Sequence, residues 1–398
     1  MFLEALRQRN PELALAAVRY HQDQVIAPNT YLFDLDTIGR NAARFHEAAS
    51  SLGLSEYFMA KQYGRNPDVS RAAISAGMAK AVAVDLQCMA AHGRHGIPVG
   101  HVGHLVQPAR SSEDAVVAAT PEVVTVFDVD CARRIGAAAR ARERTQDVLL
   151  RVSDPGDTFY FGHAGGFLLS DVESAAEAVE AVDGVRVVGV TTFPCLLGNP
   201  DTKKVEPTHN LGTLVEAAER LRKAGHAIEQ VNAPGTNSTS TLELLARLGA
   251  THVEPGNALH GTTPATVFDP DAGEVPAVVY LSEVGHFVGD DAYAFAAGYY
   301  VDKVLGGYPL RALVGRDGTA LERALGVRVA PDGAIHYYCV LPDARKAGVE
   351  VGDSVVLCFR PQVFVTRGRT QALAGIHGAA TSVLARYDGE AHPQDLLG

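Results

Sequence analysis

A chain of 398 residues, 47% apolar and 20% charged, holds enough material for a large core and is too long for one ordinary domain. Its net charge of −11, without any Lys/Arg-rich run, argues against nucleic acid or anionic lipid as partners, since such binding rests on a basic field. No apolar run approaches the roughly 18 residues that a membrane span needs.

The opening, MFLEALRQRNPELALAAV, carries acidic residues inside its apolar stretch and reads as an amphipathic helix over roughly residues 2–22, not as a signal peptide. Next comes TYLFDLD (30–36), a strand. Residues 1–54 are therefore expected to form a lead-in helix and strand. From residue 55 to 270, short β-branched runs alternate with helical stretches. The runs are EYFMAK (56–61), AVAVD (81–85), PVGHV (98–102), VVTVFD (123–128), DVLLRVS (147–153), VRVVGVTTF (185–193), AIEQVNA (227–233) and THVEP (251–255). Eight such units, linked by segments such as NLGTLVEAAERLRKAG (210–225), predict a closed (β/α)₈ TIM-type barrel; a doubly wound open sheet usually needs fewer strands. Over 271–398 the helical runs stop, and segments such as AVVYLSEVGHFVG and DSVVLCFRPQVFVTRG predict a C-terminal all-β domain, to which the strand at 30–36 is a candidate addition. Cys88, Cys131, Cys195, Cys339 and Cys358 are widely spaced with no C-x-x-C pair. That spacing argues against a disulfide framework or thiolate zinc site and for a cytoplasmic location.

In such a barrel the chemistry sits at the C-terminal ends of the strands. Lys61 follows the first strand; among apolar neighbours its amine is desolvated and can form an imine with an aldehyde, although a solvated loop lysine fits the same position. Arg151 lies on strand five, Thr192 ends strand six and Asn232 ends strand seven. Asn237, Ser238, Thr239 and Ser240 fall where strand seven turns into a helix, which suits either an anion cradle or plain helix capping. Gly256 permits close backbone approach to an anion. Glu254 ends strand eight and, if buried, needs a cationic partner, either a ligand or an arginine such as Arg151. His101 and His104, three apart on one strand, are expected to point to opposite faces and so not to share a metal; both read as structural histidines, His104 nearer the mouth.

MAKQYGRNP, GHVGHLVQ, GVTTFPCLLG, NAPGTNSTS, EPGNALHG and VGDSVVLCFRPQVFVT follow one another in the order found in the alanine-racemase-type (fold-type III) enzymes that use pyridoxal 5′-phosphate. The chain resembles that family over nearly its whole length and, within it, a bacterial racemase-like group. The resemblance implies that Lys61 is the Schiff-base lysine and one catalytic base. Tyr63 and His104 become cofactor contacts, and Thr192 lies against the cofactor ring with Arg151 near its phenolic oxygen. Asn237, Ser238, Thr239, Gly256 and Asn257 hold the phosphate. Glu254 stands where alanine racemase has an arginine facing the pyridine nitrogen; a carboxylate keeps that nitrogen protonated and the ring a deeper electron sink. The aldolase and dehydratase branch binds a metal through a histidine and a cysteine of the β-domain, and Gln362 and Phe364 fall at or near those positions, so no metal is expected. For the second base the family's tyrosine has Tyr300 as its nearest counterpart, with Tyr299, His286 and Cys195 as rivals. The family takes that residue from the partner subunit, which implies a homodimer. The expected activity is an amino-acid racemase or epimerase working by Cα proton abstraction. The alternatives are a pyridoxal-phosphate lyase (decarboxylase, β-eliminase or aldolase) and a non-catalytic cofactor-binding protein.

Overall fold

The computed structural model describes residues 1–269, 273–296, 300, 309–331 and 334–395. It divides into two compact units: Ala43–Ala60 with Ala73–Gly256, and Met1–Ala42 with Lys61–Ala72 and Asn257–Gly398. No helix among the described residues is long and apolar enough to cross a membrane.

The first unit is a closed barrel. Its strands are β2 (Ser55–Met59), β3 (Lys80–Ala83), β4 (Val99–Val102), β5 (Val123–Val126), β6 (Gln146–Ser153), β8 (Val185–Thr191), β11 (Gln230–Asn232) and β12 (His252–Val253). They pair in parallel, β12 returning to β2 and β5 pairing with β6, so no edge of the eight-stranded cylinder is left open. β7 (Phe167–Leu168) attaches outside the ring to β6, while β9 (Leu196–Asn199) and β10 (Lys204–Pro207) form a separate hairpin in the loop after β8. Helices α5 (Leu86–Arg94), α6 (Glu113–Ala118), α7 (Val129–Arg140), α8 (Val172–Glu180), α9 (His209–Lys223) and α10 (Leu242–Arg247) lie between the strands. Their start signals are legible: the carboxylates of Asp85 and Asp128 accept from the backbone N–H groups of Cys88 and Cys131, closing α5 and α7 at their first turns. Strands such as VVTV in β5 are buried on both faces, as a sheet wrapped by helices requires.

The second unit is built on a sheet ordered β16 (Ala324–Val327), β15 (Leu310–Gly315), β18 (Ser354–Leu357), β13 (Val278–Val288), β1 (Thr30–Asp34), β19 (Arg369–Ala374), β20 (Ser382–Tyr387) and β21 (Pro393–Gln394). β14 (Asp291–Phe295) pairs with β13 and with β17 (Tyr338–Leu341). The strand expected at 30–36 is thus a central member of this sheet, parallel to β19 and antiparallel to β13. Helices α3 (Leu35–Ser51) and α4 (Pro67–Ser75) carry the chain between the two units, and α11 (Pro264–Phe268) is a single short helix.

The start of the chain corrects one expectation. One helix was predicted over roughly 2–22; there are two, α1 (Phe2–Arg9) and α2 (Pro11–Gln22), broken at Asn10. Pro11 excludes helical geometry from the residue before it, and the Asn10 amide is drawn inward, donating to Asp34 Oδ2 at 3.0 Å and to the Pro276 carbonyl at 2.9 Å. Nor is this segment without a role. Phe2, Leu6, Leu13, Ala17 and Val18 join Leu32, Val279, Leu281, Leu313 and Val356 in one buried cluster, so the helices form the apolar cover of the sheet. Leu13→Ala leaves a cavity in that cluster. It is expected to cost about 2–5 kcal/mol in urea unfolding, against about half a kcal/mol or less for an exposed residue such as Gln8→Ala.

Candidate active site

Because all eight barrel strands run in parallel, their C-terminal ends meet at one rim. Glu254, one residue past β12, is buried there. Its Oε1 is 2.5 Å from His101 Nδ1 and 2.8 Å from Asn232 Nδ2. His101 lies within β4, and its other ring nitrogen is 2.5 Å from Thr125 Oγ1 on β5. Glu254 is tied back through its own N–H, which donates to Asn237 Oδ1 at 2.8 Å, while the Asn237 amide donates to the Ala233 carbonyl. Burial by itself would raise the Glu254 pKa. The charges of His104 and His101, with hydrogen bonds from His101 and Asn232, outweigh it and bring the carboxyl down to about 2.

His104 overturns the expectation for the two histidines. β4 ends at Val102, and Gly103 takes φ +83°, so the period-two rule of a strand stops before His104 is reached. A Cβ at Gly103 would stand 2.9 Å from the Thr125 carbonyl oxygen. The turn brings His104 Nε2 to 3.6 Å from Glu254 Oε2, with the two imidazole centroids 5.6 Å apart. The donor atoms of His101, His104 and Glu254 lie within 4.8 Å of one another, compact enough for a divalent cation. The two histidines therefore share one site instead of facing apart.

Arg151 is fully buried, and its guanidinium makes no ion pair among the described residues. It donates to the carbonyls of His104, His163 and Phe193 at 3.5, 3.3 and 3.2 Å and lies 5.5 Å from the Phe127 ring and 6.0 Å from the Phe159 ring. Burial lowers its pKa to about 10. An arginine partner for Glu254 is thus replaced by two imidazoles and an amide. Thr192, the residue after β8, is also buried. Four buried polar atoms at this rim have no hydrogen-bond partner among the described residues: Glu254 Oε2, Asn232 Oδ1, Arg151 Nε and Thr192 Oγ1.

The segment after β11 is occupied by helix-start chemistry. The Ser238 N–H donates to Thr241 Oγ1 at 3.1 Å, its hydroxyl lies 2.9 Å from that of Ser240, and Thr239 opens a helical turn. Gly256 closes the barrel unit.

In the second unit Lys61 and Tyr63 occupy one helical turn, Lys61–Tyr63. Lys61 Nζ stands 5.5 Å above the ring of Phe364, and the Arg65 guanidinium 5.6 Å from the same ring. Tyr63 is buried, its hydroxyl 3.1 Å from Ser70 Oγ and its ring edge-on to Phe33. Asn257 donates to the Thr262 carbonyl at 3.4 Å, and its Oδ1 has no partner among the described residues. Tyr300 is exposed by 47%; Tyr299 lies outside the described residues. His286 stacks on Tyr293 at 4.8 Å, and Cys195 is buried, its thiol directed at the Thr192 carbonyl. The reading by strand ends thus found Glu254, Arg151, Asn232 and Thr192. It missed His101 as the carboxylate's partner, because a contact between residues 153 apart leaves no local pattern.

Against known proteins, residues 33–264 match the alanine racemase N-terminal domain and residues 279–383 the YhfX-like C-terminal domain. The chain belongs to the alanine-racemase-type family, fold-type III of the pyridoxal-phosphate enzymes. The uncharacterized protein YhfX of Escherichia coli (strain K12) is 40% identical over 389 residues, 98% of each chain. Among solved structures, D-threonine aldolase from Filomicrobium marinum shares the fold with a TM-score of 0.67 at 17% identity, over 92% of this chain and 96% of its own. Alanine racemase from Clostridium difficile 630 does so with a TM-score of 0.64 at 14% identity, over 90% and 98%.

The Glu254 environment sets a pH dependence. A carboxyl whose folded pKa is depressed adds stability above its unfolded pKa and loses it as pH falls through the folded value. Here that window runs from 4.5 down to about 2. Glu254→Gln is expected to lower stability at pH 7 and to flatten the acid limb of the stability curve across that window, measured by urea unfolding at a series of pH values.

Proposed function

We propose that this chain is a pyridoxal-phosphate-dependent amino-acid racemase or epimerase. When bound, the cofactor supplies an aldehyde for the substrate amine and an electron-withdrawing ring that acidifies the Cα–H. The residues present fit it. Buried polar atoms are costly unless paired, and the four unpaired atoms at the barrel rim offer a carboxylate oxygen, a guanidinium N–H, an amide oxygen and a hydroxyl. Such a set suits a protonated ring nitrogen and an anionic ring oxygen. In this reading Glu254 would keep a proton on the ring nitrogen, Arg151 would meet the phenolic oxygen and Thr192 would pack against the ring. Lys61 would hold the cofactor through its amine and, with that amine free, would move the Cα proton. Ser238, Thr239, Gly256 and Asn257 hold the phosphate, with Asn237 bracing their loop.

One observation carries racemisation ahead of lyase chemistry. Aldol cleavage and dehydration need the Cβ oxygen activated, which in the aldolase and dehydratase branch falls to a metal held by a histidine and a cysteine. Here Gln362 and Phe364 stand in the matching segment, and Phe364 turns an apolar ring to the Lys61 amine. With neither an imidazole nor a thiolate in that segment, we favour proton transfer at Cα. We assign the opposing acid to Tyr300, exposed and so available to a second copy, making a homodimer the working unit. Glu254 favours a second reading, decarboxylation, because a protonated ring stabilises the same carbanion.

The visible spectrum of the purified protein tests the cofactor. A yellow band that borohydride fixes on the wild type, and that Lys61→Ala fails to retain, is the expected result; a protein that stays colourless with added pyridoxal phosphate overturns it. In deuterated water, amino-acid substrates are expected to take up deuterium at Cα without release of carbon dioxide. Carbon dioxide in place of deuterium exchange would establish the second reading.

A further inference from the structure

The Glu254 carboxylate has two oxygens in unlike surroundings. Oε1 meets two donors, His101 Nδ1 at 2.5 Å and Asn232 Nδ2 at 2.8 Å. Oε2 is buried without a hydrogen-bond partner among the described residues, and His104 Nε2, 3.6 Å away, is at ion-pair distance but beyond hydrogen-bond reach. An ionised carboxylate only accepts, so His101 must carry its proton on Nδ1 and donate it to Oε1. The Thr125 hydroxyl, 2.5 Å from Nε2, backs the imidazole from the neighbouring strand and leaves the ring no room to turn. Asn232 is pinned in the same way, its amide also reaching Thr191 Oγ1 at 3.3 Å. Three strands, β4, β5 and β11, thus fix a side chain on a fourth.

We propose that His101, backed by Thr125 and assisted by Asn232, is a positioning residue that occupies Glu254 Oε1 and so presents Oε2 alone, as an acceptor of fixed direction, to a protonated ring nitrogen of the ligand. This rests on the reading of Glu254 given under the proposed function. His101 touches no ligand in this arrangement; it acts through the carboxylate. Without it, Oε1 would lose its shortest hydrogen bond, and the carboxylate could rotate to share one donor between both oxygens.

The test uses the full chain freed of cofactor and titrated with pyridoxal phosphate or its 1-deaza analogue, in which a C–H replaces the ring nitrogen. The wild type is expected to bind pyridoxal phosphate about tenfold or more tighter than the analogue, the worth of one charge-assisted hydrogen bond. His101→Phe is expected to bring that ratio close to unity, and His101→Gln, whose amide can still donate to Oε1, to restore most of it. Thr125→Val is expected to lower the ratio by a factor of about three, since it removes support and not the donor itself. If circular dichroism shows that His101→Phe does not fold, Thr125→Val and His101→Gln carry the comparison. A wild-type preference that His101→Phe or Thr125→Val leaves intact overturns the positioning role and spares the reading of Glu254. A wild type that does not discriminate overturns both.

Discussion

A carboxylate at the end of the eighth barrel strand meets an imidazole on the third across 2.5 Å, and that contact exists only because eight parallel strands close on themselves. In an open sheet those residues would stand strands apart, and a buried Glu254 would face desolvation with nothing to offset it. Closure converts the cost into a fixed charge: β4 and β11 supply the donors, and the carboxyl remains ionised far below its ordinary range. The other buried polar groups of the rim follow from the same geometry. Arg151 spends its guanidinium on backbone carbonyls of three loops that only a closed ring brings together.

The β-sheet unit shows a contrasting way of holding a charge. Lys61 and Arg65 both lie over the Phe364 ring, so one aromatic face is shared by two cationic side chains.

Much of this was legible before any coordinates. Eight β-branched runs and the change of pattern beyond residue 270 announce a barrel followed by a β-domain, since each depends on periodicity. The places of Arg151, Thr192 and Glu254 along the barrel strands are legible too, because the order of the apolar runs shows where each strand stops. What went wrong was local geometry carried one residue too far. His101 and His104 oppose each other only if the strand runs through both, and Gly103 ends it between them. Likewise the N-terminal helix reads as continuous until the demands of Pro11 and a distant Asp34 on Asn10 are both in view.

By itself, then, the sequence determined the barrel, the added β-domain and the residues set out along the strand ends, because those follow from the order of elements and their periods. Only the tertiary structure decided which groups face one another. The pairing of Glu254 with His101 and Asn232, the approach of His104 to Oε2 and the stacking of Lys61 on Phe364 all join residues far apart in the chain. Such contacts are set by strand closure and side-chain packing, and neither leaves a trace in the spacing of residues along the sequence.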